Sequence, residues 1–198
     1  MRQWYFGILF FCLAVVSTNA ISGDYAIVKK IKGQVLSNGV QLRVGDKVKV
    51  GKVIDASKKG SFIDLEIPGG GDMRLVGGVV KLNKLEKESS IFQLIKGKLF
   101  TYFKNLDKKG KKKALRILTN EGSFAVRGTK FGVIKDNEHE SFICVCEGEV
   151  LVKNNYGAMG LVKANEEVRF SGTDMRIKNK INSRDMIKLR GIFKDMGH

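Results

Sequence analysis

Beyond its first twenty residues the chain has no long hydrophobic run. That excludes a second membrane-spanning helix, which needs about 20 apolar residues. Cysteine is scarce: of three in 198 residues, only Cys144 and Cys146 lie beyond residue 20, so one disulfide at most is available there. Histidine is scarcer, with His139 and the last residue, His198. Neither falls into a Ser-His-Asp or Cys-His arrangement, and no pair of carboxylates stands out, so an enzyme is not expected. Gly69-Gly70-Gly71-Asp72 lacks the Lys-Ser/Thr and the following helix of a phosphate loop, and reads as a hairpin turn. His139 sits among Asp136, Glu138 and Glu140 with no fixed ligand geometry, so neither metal nor cofactor is expected. Acid is short as well. Against 36 Lys and Arg stand 20 Asp and Glu, for a formal net charge of +16.

What the first twenty residues do have is the three-part pattern of an export signal. Arg2 gives a positive start, residues 4–16 an apolar core, and Ser17-Thr18-Asn19-Ala20 a small-residue end. Cleavage is expected after Ala20, giving a periplasmic or extracellular product that starts at Ile21 and loses one cation, Arg2. Such a chain, strongly basic and outside the cytoplasm, suits an anionic partner (lipid headgroups, acidic surface polymers or an acidic protein face) or equally carries its charge for solubility alone. Nucleic acid is not expected.

The remainder is rich in Val, Ile, Gly and Lys with a single proline, Pro68. Short alternating apolar runs separated by Gly, Asn and Asp predict an all-β domain over 21–172. Strands are expected at 26–35, 40–44, 47–53, 61–67, 73–76, 79–82, 92–103, 114–118, 123–134, 141–153, 161–163 and 167–170. Asn38-Gly39, Gly45-Asp46 and Asp136-Asn137 supply further turns. The architecture expected is two facing antiparallel sheets, as a sandwich or a short β-solenoid, with a short C-terminal helix.

Two internal similarities support repeated hairpins. Ile31-Lys32-Gly33-Gln34-Val35, Ile95-Lys96-Gly97-Lys98-Leu99 and Cys146-Glu147-Gly148-Glu149-Val150 share one pattern. On a regular strand the glycine and both apolar residues share a face, unless the glycine marks a bulge. Leu42 to Val50 also matches Val162 to Phe170 position by position, with Gly45 and Asn165 in the slot of a left-handed turn residue. Residues 173–198 read as a basic tail. Met186, Leu189, Phe193 and Met196 fall at helical spacing, with Ser183 as N-cap and the apolar stripe expected to pack on the β-domain, the alternative being docking on a membrane or partner.

The segment Phe124-Ala125-Val126-Arg127-Gly128-Thr129-Lys130-Phe131 is the most distinctive. Val126 and Phe131, five apart, both reach the core only if a bulge at Gly128 adds a residue. Arg127 then lies near the kink, with Glu147 or Glu149 as its salt-bridge partner. Followed by Cys146-Glu147-Gly148-Glu149-Val150, the segment resembles the core of the FecR family, with its apolar-apolar-Arg-Gly-Thr-x-Phe and apolar-x-Glu-Gly-x-Val strands. The resemblance extends over residues 25–170 and makes Arg127, Gly128, Thr129 and Phe131, with Gly33, Gly97 and Gly148, its structural signature. It implies a non-catalytic periplasmic sensing, binding or scaffold module whose best-known members relay a receptor's state across the inner membrane. Here an export signal stands in place of their cytoplasmic and membrane-spanning portion, so a stand-alone envelope protein is expected. The rival expectations are a protein binding envelope polysaccharide or peptidoglycan, or a hydrolase acting on such a polymer.

Two features remain. From Phe142 the even positions Phe142, Cys144, Cys146, Gly148, Val150 and Val152 read as one apolar face, placing both thiols in the core. A disulfide between residues two apart on a strand would be strained. Lys108, Lys109, Lys111, Lys112 and Lys113 form a basic loop, either solvated or in contact with an anionic surface, membrane included.

Overall fold

A computed structural model describes residues 25–68, 71–86, 88–103, 114–135, 140–171, 173–178 and 180–198. The expected signal segment 1–20, the turn at 69–70, the lysines at 108–113 and the loop around His139 lie outside the described residues. Among the described residues the fold is all-β with one helix.

Four long strands organise it: β7 (Gly71–Leu85), β8 (Ser89–Phe103), β10 (Gly122–Lys135) and β11 (Glu140–Asn154). They pair β7–β8, β8–β10 and β10–β11, all antiparallel. The other strands are short: some pair one half of a long strand, and the rest extend the sheet by pairing those. These are β1 (Tyr25–Lys32), β2 (Leu36–Ser37), β3 (Val40–Gln41), β4 (Lys47–Lys49), β5 (Val53–Asp55) and β6 (Phe62–Ile67). Later in the chain come β9 (Ala114–Leu118), β12 (Met159–Lys163), β13 (Glu167–Ser171) and β14 (Asp174–Lys178). Thus β7 pairs β6 through residues 71–76 but β5 through 79–81, and β11 pairs β13 through 140–144 but β12 through 149–153.

The halves form two layers. In the first, the order is β4, β1, β6, β7, β8, β10, β11, β13, β14; in the second it is β3, β2, β5, β7, β8, β9, β10, β11, β12. Their inner faces share one core. Ile63, Leu75, Leu99, Val133, Ile143 and Val168 line it from the first layer, and Leu82, Phe92, Ile117, Phe124 and Val152 from the second. Phe124 and Phe170 meet across it at 5.5 Å between ring centroids. The expectation of facing sheets needs two refinements. The layers are one continuous hydrogen-bonded network because the long strands cross between them, and β8 runs parallel to β9.

Glycine makes the crossings. β7 bends where Val76 pairs Lys98 and Val79 pairs Lys96, with Gly77 at φ +57° and Gly97 opposite at +95°. β10 and β11 bend together at Gly128 (φ +59°) and Gly148 (φ +80°). The expected strands 73–76 and 79–82 are therefore one strand with a bulge, since the glycine pair bends the chain without reversing it.

The two ends of the domain are built alike. Tyr25, Ala26 and Ile27 pair Lys49, Val48 and Lys47; Phe142, Ile143 and Cys144 pair Arg169, Val168 and Glu167 in the same way. The intervening turns match bond for bond. Asp46 Oδ2 accepts from the Arg43 N–H and Glu166 Oε2 from the Lys163 N–H, each at 2.8 Å. The Gly45 N–H donates to the Val28 carbonyl at 2.9 Å, and that of Asn165 to Val145 at 2.8 Å. Gly45 (φ +91°) and Asn165 (φ +68°) are both left-handed, as their shared slot predicts.

Helix α1 (Ser183–Asp195) lies on the outer face of the first layer, with Met186, Leu189 and Phe193 buried there, as the spacing predicts. Its N-cap is Asn182, not Ser183: the Asn182 side chain accepts from the Arg184 N–H. Within the segment read as a helical tail, residues 174–178 add strand β14 at the sheet edge.

Candidate functional site

The signature residues come together at the crossings. Gly33 (φ +74°), Gly97 and Gly148 are each left-handed and each face a partner strand at close range. A Cβ on Gly33 would meet Ser61, one on Gly97 would meet Gly78, and one on Gly148 would meet the Gly128 carbonyl. The shared pattern thus marks bulges at Gly97 and Gly148 and, at Gly33, the bend just past β1. Its two apolar residues share the core face only in the first copy, where Ile31 packs on the core and Val35 is buried. In the second, Ile95 is exposed while Leu99 is buried.

The bulge at Gly128 brings both Val126 and Phe131 into the core, as the five-residue spacing requires, and buries Thr129 beside them. Register sets Arg127 opposite Glu149 and Lys130 opposite Glu147. The Glu147 carboxylate is held by Lys130 Nζ at 2.8 Å, so that acid serves the neighbouring lysine.

The thiols depart from expectation because Gly148 exchanges the faces of β11. Ile143, Val145, Val150 and Val152 face the shared core. Cys144 and Cys146 instead sit under α1, in a second apolar cluster with Phe100, Ile181, Met186, Leu189 and Phe193. Both are free and buried. Burial, and then the adjacent Cys146, push the Cys144 thiol up to about 12; burial pushes Cys146 up to about 11. Neither is activated as a nucleophile. A cleft of about 500 Å³ runs between α1 and the sheet above Cys144. Phe100, Phe142 and Leu189 make its apolar floor, and its rim carries both signs, Lys98, Arg169 and Lys188 against Glu140 and Asp185. Among the described residues no group of three or more His, Cys, Asp or Glu is placed to hold a metal ion.

Two buried charge clusters escape sequence reasoning. Arg74 donates to both Asp64 oxygens at 2.6 Å and to Asp195 at 2.5 Å, with its guanidinium 4.5 Å from the centre of the Phe62 ring. The hydrogen bond from Arg74, then that from Lys30, holds Asp195 below the usual carboxylate range. Three residues on, His198 Nε2 lies 2.7 Å from Asp72 Oδ2, its ring 3.9 Å from that of Tyr102. The end of α1 is therefore fastened by charge as well as by packing. In the second cluster, Lys135 Nζ and Ser141 Oγ donate to the two Glu121 oxygens at 2.5 Å. Burial pushes the Glu121 carboxyl up, but hydrogen bonds from Lys135, Ser141 and Thr119 outweigh it and hold the group below its usual range. The available signal was alternation: Asp64 and Arg74 pair directly and face outward, where α1 covers them.

Fold and site together define an all-β module whose long strands pass between two layers at paired glycines, one outer face roofed by a helix. The FecR protein family model matches residues 56–151. That span holds β7, β8 and β10 with the crossings at Gly97, Gly128 and Gly148. Over those residues the chain carries a FecR-type segment. The chain is similar in fold to a crystal structure of a putative anti-sigma factor from Parabacteroides distasonis ATCC 8503, with TM-score 0.55 and 20% identity. That match covers 67% of this chain and 62% of the other, so the chain spans under two thirds of that protein's length. A second such structure from the same organism aligns with TM-score 0.46 and 16% identity, over 79% of this chain and 65% of that one. No curated protein matches the sequence. Among the described residues no helix is long and apolar enough to cross a membrane.

Proposed function

We propose that this chain is an exported, non-catalytic FecR-type module that senses or binds a component of a Gram-negative cell envelope. The observation that carries this reading is the family match over residues 56–151, within which the glycine crossings and the Arg127–Phe131 bulge fall. The site chemistry agrees with binding: both thiols under α1 are held protonated, and the buried acids are engaged by Arg74 and Lys135. The partner is an envelope protein presenting an acidic face, in keeping with the formal charge of +16. That excess of cations also favours a second reading, binding to peptidoglycan or an anionic surface polysaccharide, which cosedimentation with purified polymer distinguishes.

Fractionation with N-terminal sequencing tests the reading. The expected product is periplasmic and begins at Ile21. A cytoplasmic product beginning at Met1, or hydrolysis of envelope polymer by the purified protein, overturns it.

A further inference from the structure

The outer face of the first layer is roofed by α1, whereas among the described residues no element roofs the outer face of the second layer. Register aligns Lys84, Ile91, Arg116, Ala125, Leu151 and Leu161 in one row across six strands. The parallel row on that face runs from Lys81 through Leu118 to Lys153 and Met159. Neither row contains an acid, although Lys84 pairs with Glu86 at 3.0 Å, and the row between them points into the core. At one end the hairpin β11–β12 concentrates exposed apolar side chains: Leu151 at 43%, Leu161 at 44%, Met159 at 57% and Tyr156 at 68% exposure. Lys153 and Lys163 flank them, both exposed, Lys163 in the next row opposite Glu149.

We propose that this face docks on a membrane surface rich in anionic phospholipid headgroups. The cations of the two rows meet the phosphates, while Leu151, Leu161 and Met159 enter the headgroup boundary and Tyr156 sits at its edge. A solvated sheet face built for solubility alone carries polar side chains outward; here large apolar ones stand out among cations. A soluble anionic polymer would satisfy the lysines but offer nothing to Leu151 and Leu161, so the pairing of charge with apolar area selects lipid. The docking is independent of the sensing role proposed above and can be read in vitro.

The test is cosedimentation of the expected exported product, residues 21–198, with vesicles of phosphatidylglycerol and phosphatidylcholine, against vesicles of phosphatidylcholine alone, so that the apolar residues 4–16 cannot themselves bind lipid. Leu151→Ser with Leu161→Ser, and separately Lys153→Glu with Lys163→Glu, are each expected to weaken binding to the anionic vesicles by about tenfold or more. Their melting temperatures should stay near that of the parent, because all four side chains are exposed. Added salt should release the parent protein. Variants binding as tightly as the parent overturn the proposal, as does binding indifferent to lipid charge. It is overturned too if dextran sulfate binds the parent and the serine variant equally, or if the parent is a dimer that the serine variant dissolves.

Discussion

Replacing Gly97 with alanine tests the role of the crossings, because the structure supplies its own control. Gly97 and Gly45 have nearly the same backbone, φ +95° and +91°. An L-residue pays about 1–2 kcal/mol to adopt a left-handed conformation, so both Gly→Ala changes carry that cost. Only at Gly97 does the new methyl meet anything. Its Cβ would stand 2.4 Å from Gly78 Cα and 2.9 Å from the Gly77 carbonyl, whereas at Gly45 nothing lies within 4 Å. Both obstacles are backbone on the paired strand, so relief requires β7 to shift at its own bulge. Overpacking of that kind costs about 1–3 kcal/mol. Gly97→Ala should therefore lose about 2–5 kcal/mol and Gly45→Ala about 1–2 kcal/mol. Urea unfolding measures both, the difference appearing as an earlier midpoint at unchanged slope. Equal losses in the two variants would refute the argument that the glycine pattern exists to let two strands cross at close range.

Glu121→Gln leaves Lys135 facing an amide in a buried site and should cost about 3–5 kcal/mol at neutral pH by urea unfolding. The native carboxyl is held below its usual value, so its contribution is present above the unfolded pKa and is lost as pH falls through the folded one. The parent should accordingly lose its advantage over the variant in acid, below about pH 4; an advantage constant down to the lowest pH tested contradicts this. Cys144 and Cys146 should resist a thiol reagent at neutral pH and react fully in denaturant, read by peptide mapping; rapid native labelling would mean that α1 does not cover them. In a double-mutant cycle, Arg127→Ala with Glu149→Ala should show a stability coupling, while Arg127→Ala with Glu147→Ala should show almost none. The reverse result would contradict the register.

Alternation and turn residues made most strands legible: 114–118 is read to the residue, and Gly45 and Asn165 are both turn residues with positive φ. Gly77-Gly78 misleads because a glycine pair signals a turn and a bulge identically, and only its distant partner Gly97 decides. Asp174–Lys178 is missed as a strand because at a sheet edge it keeps mostly exposed polar residues, and its pairing is set by β13. Bulges also defeat the reading of faces. The even positions of β11 are continuous in sequence, yet Gly148 sends Cys144 and Cys146 under the helix and Val150 into the core. Charged clusters are the least legible. Arg74 and Glu121 look like surface residues until α1 and the Lys135–Ser141 pair close over them.

The central claim, action by binding in the envelope, is tested most directly by crosslinking the protein in intact cells and recovering what it carries. The account predicts a discrete envelope partner, presenting acidic groups, that is bound without being chemically altered. Recovery of cytoplasmic partners alone, or of a cleaved envelope polymer, would contradict it.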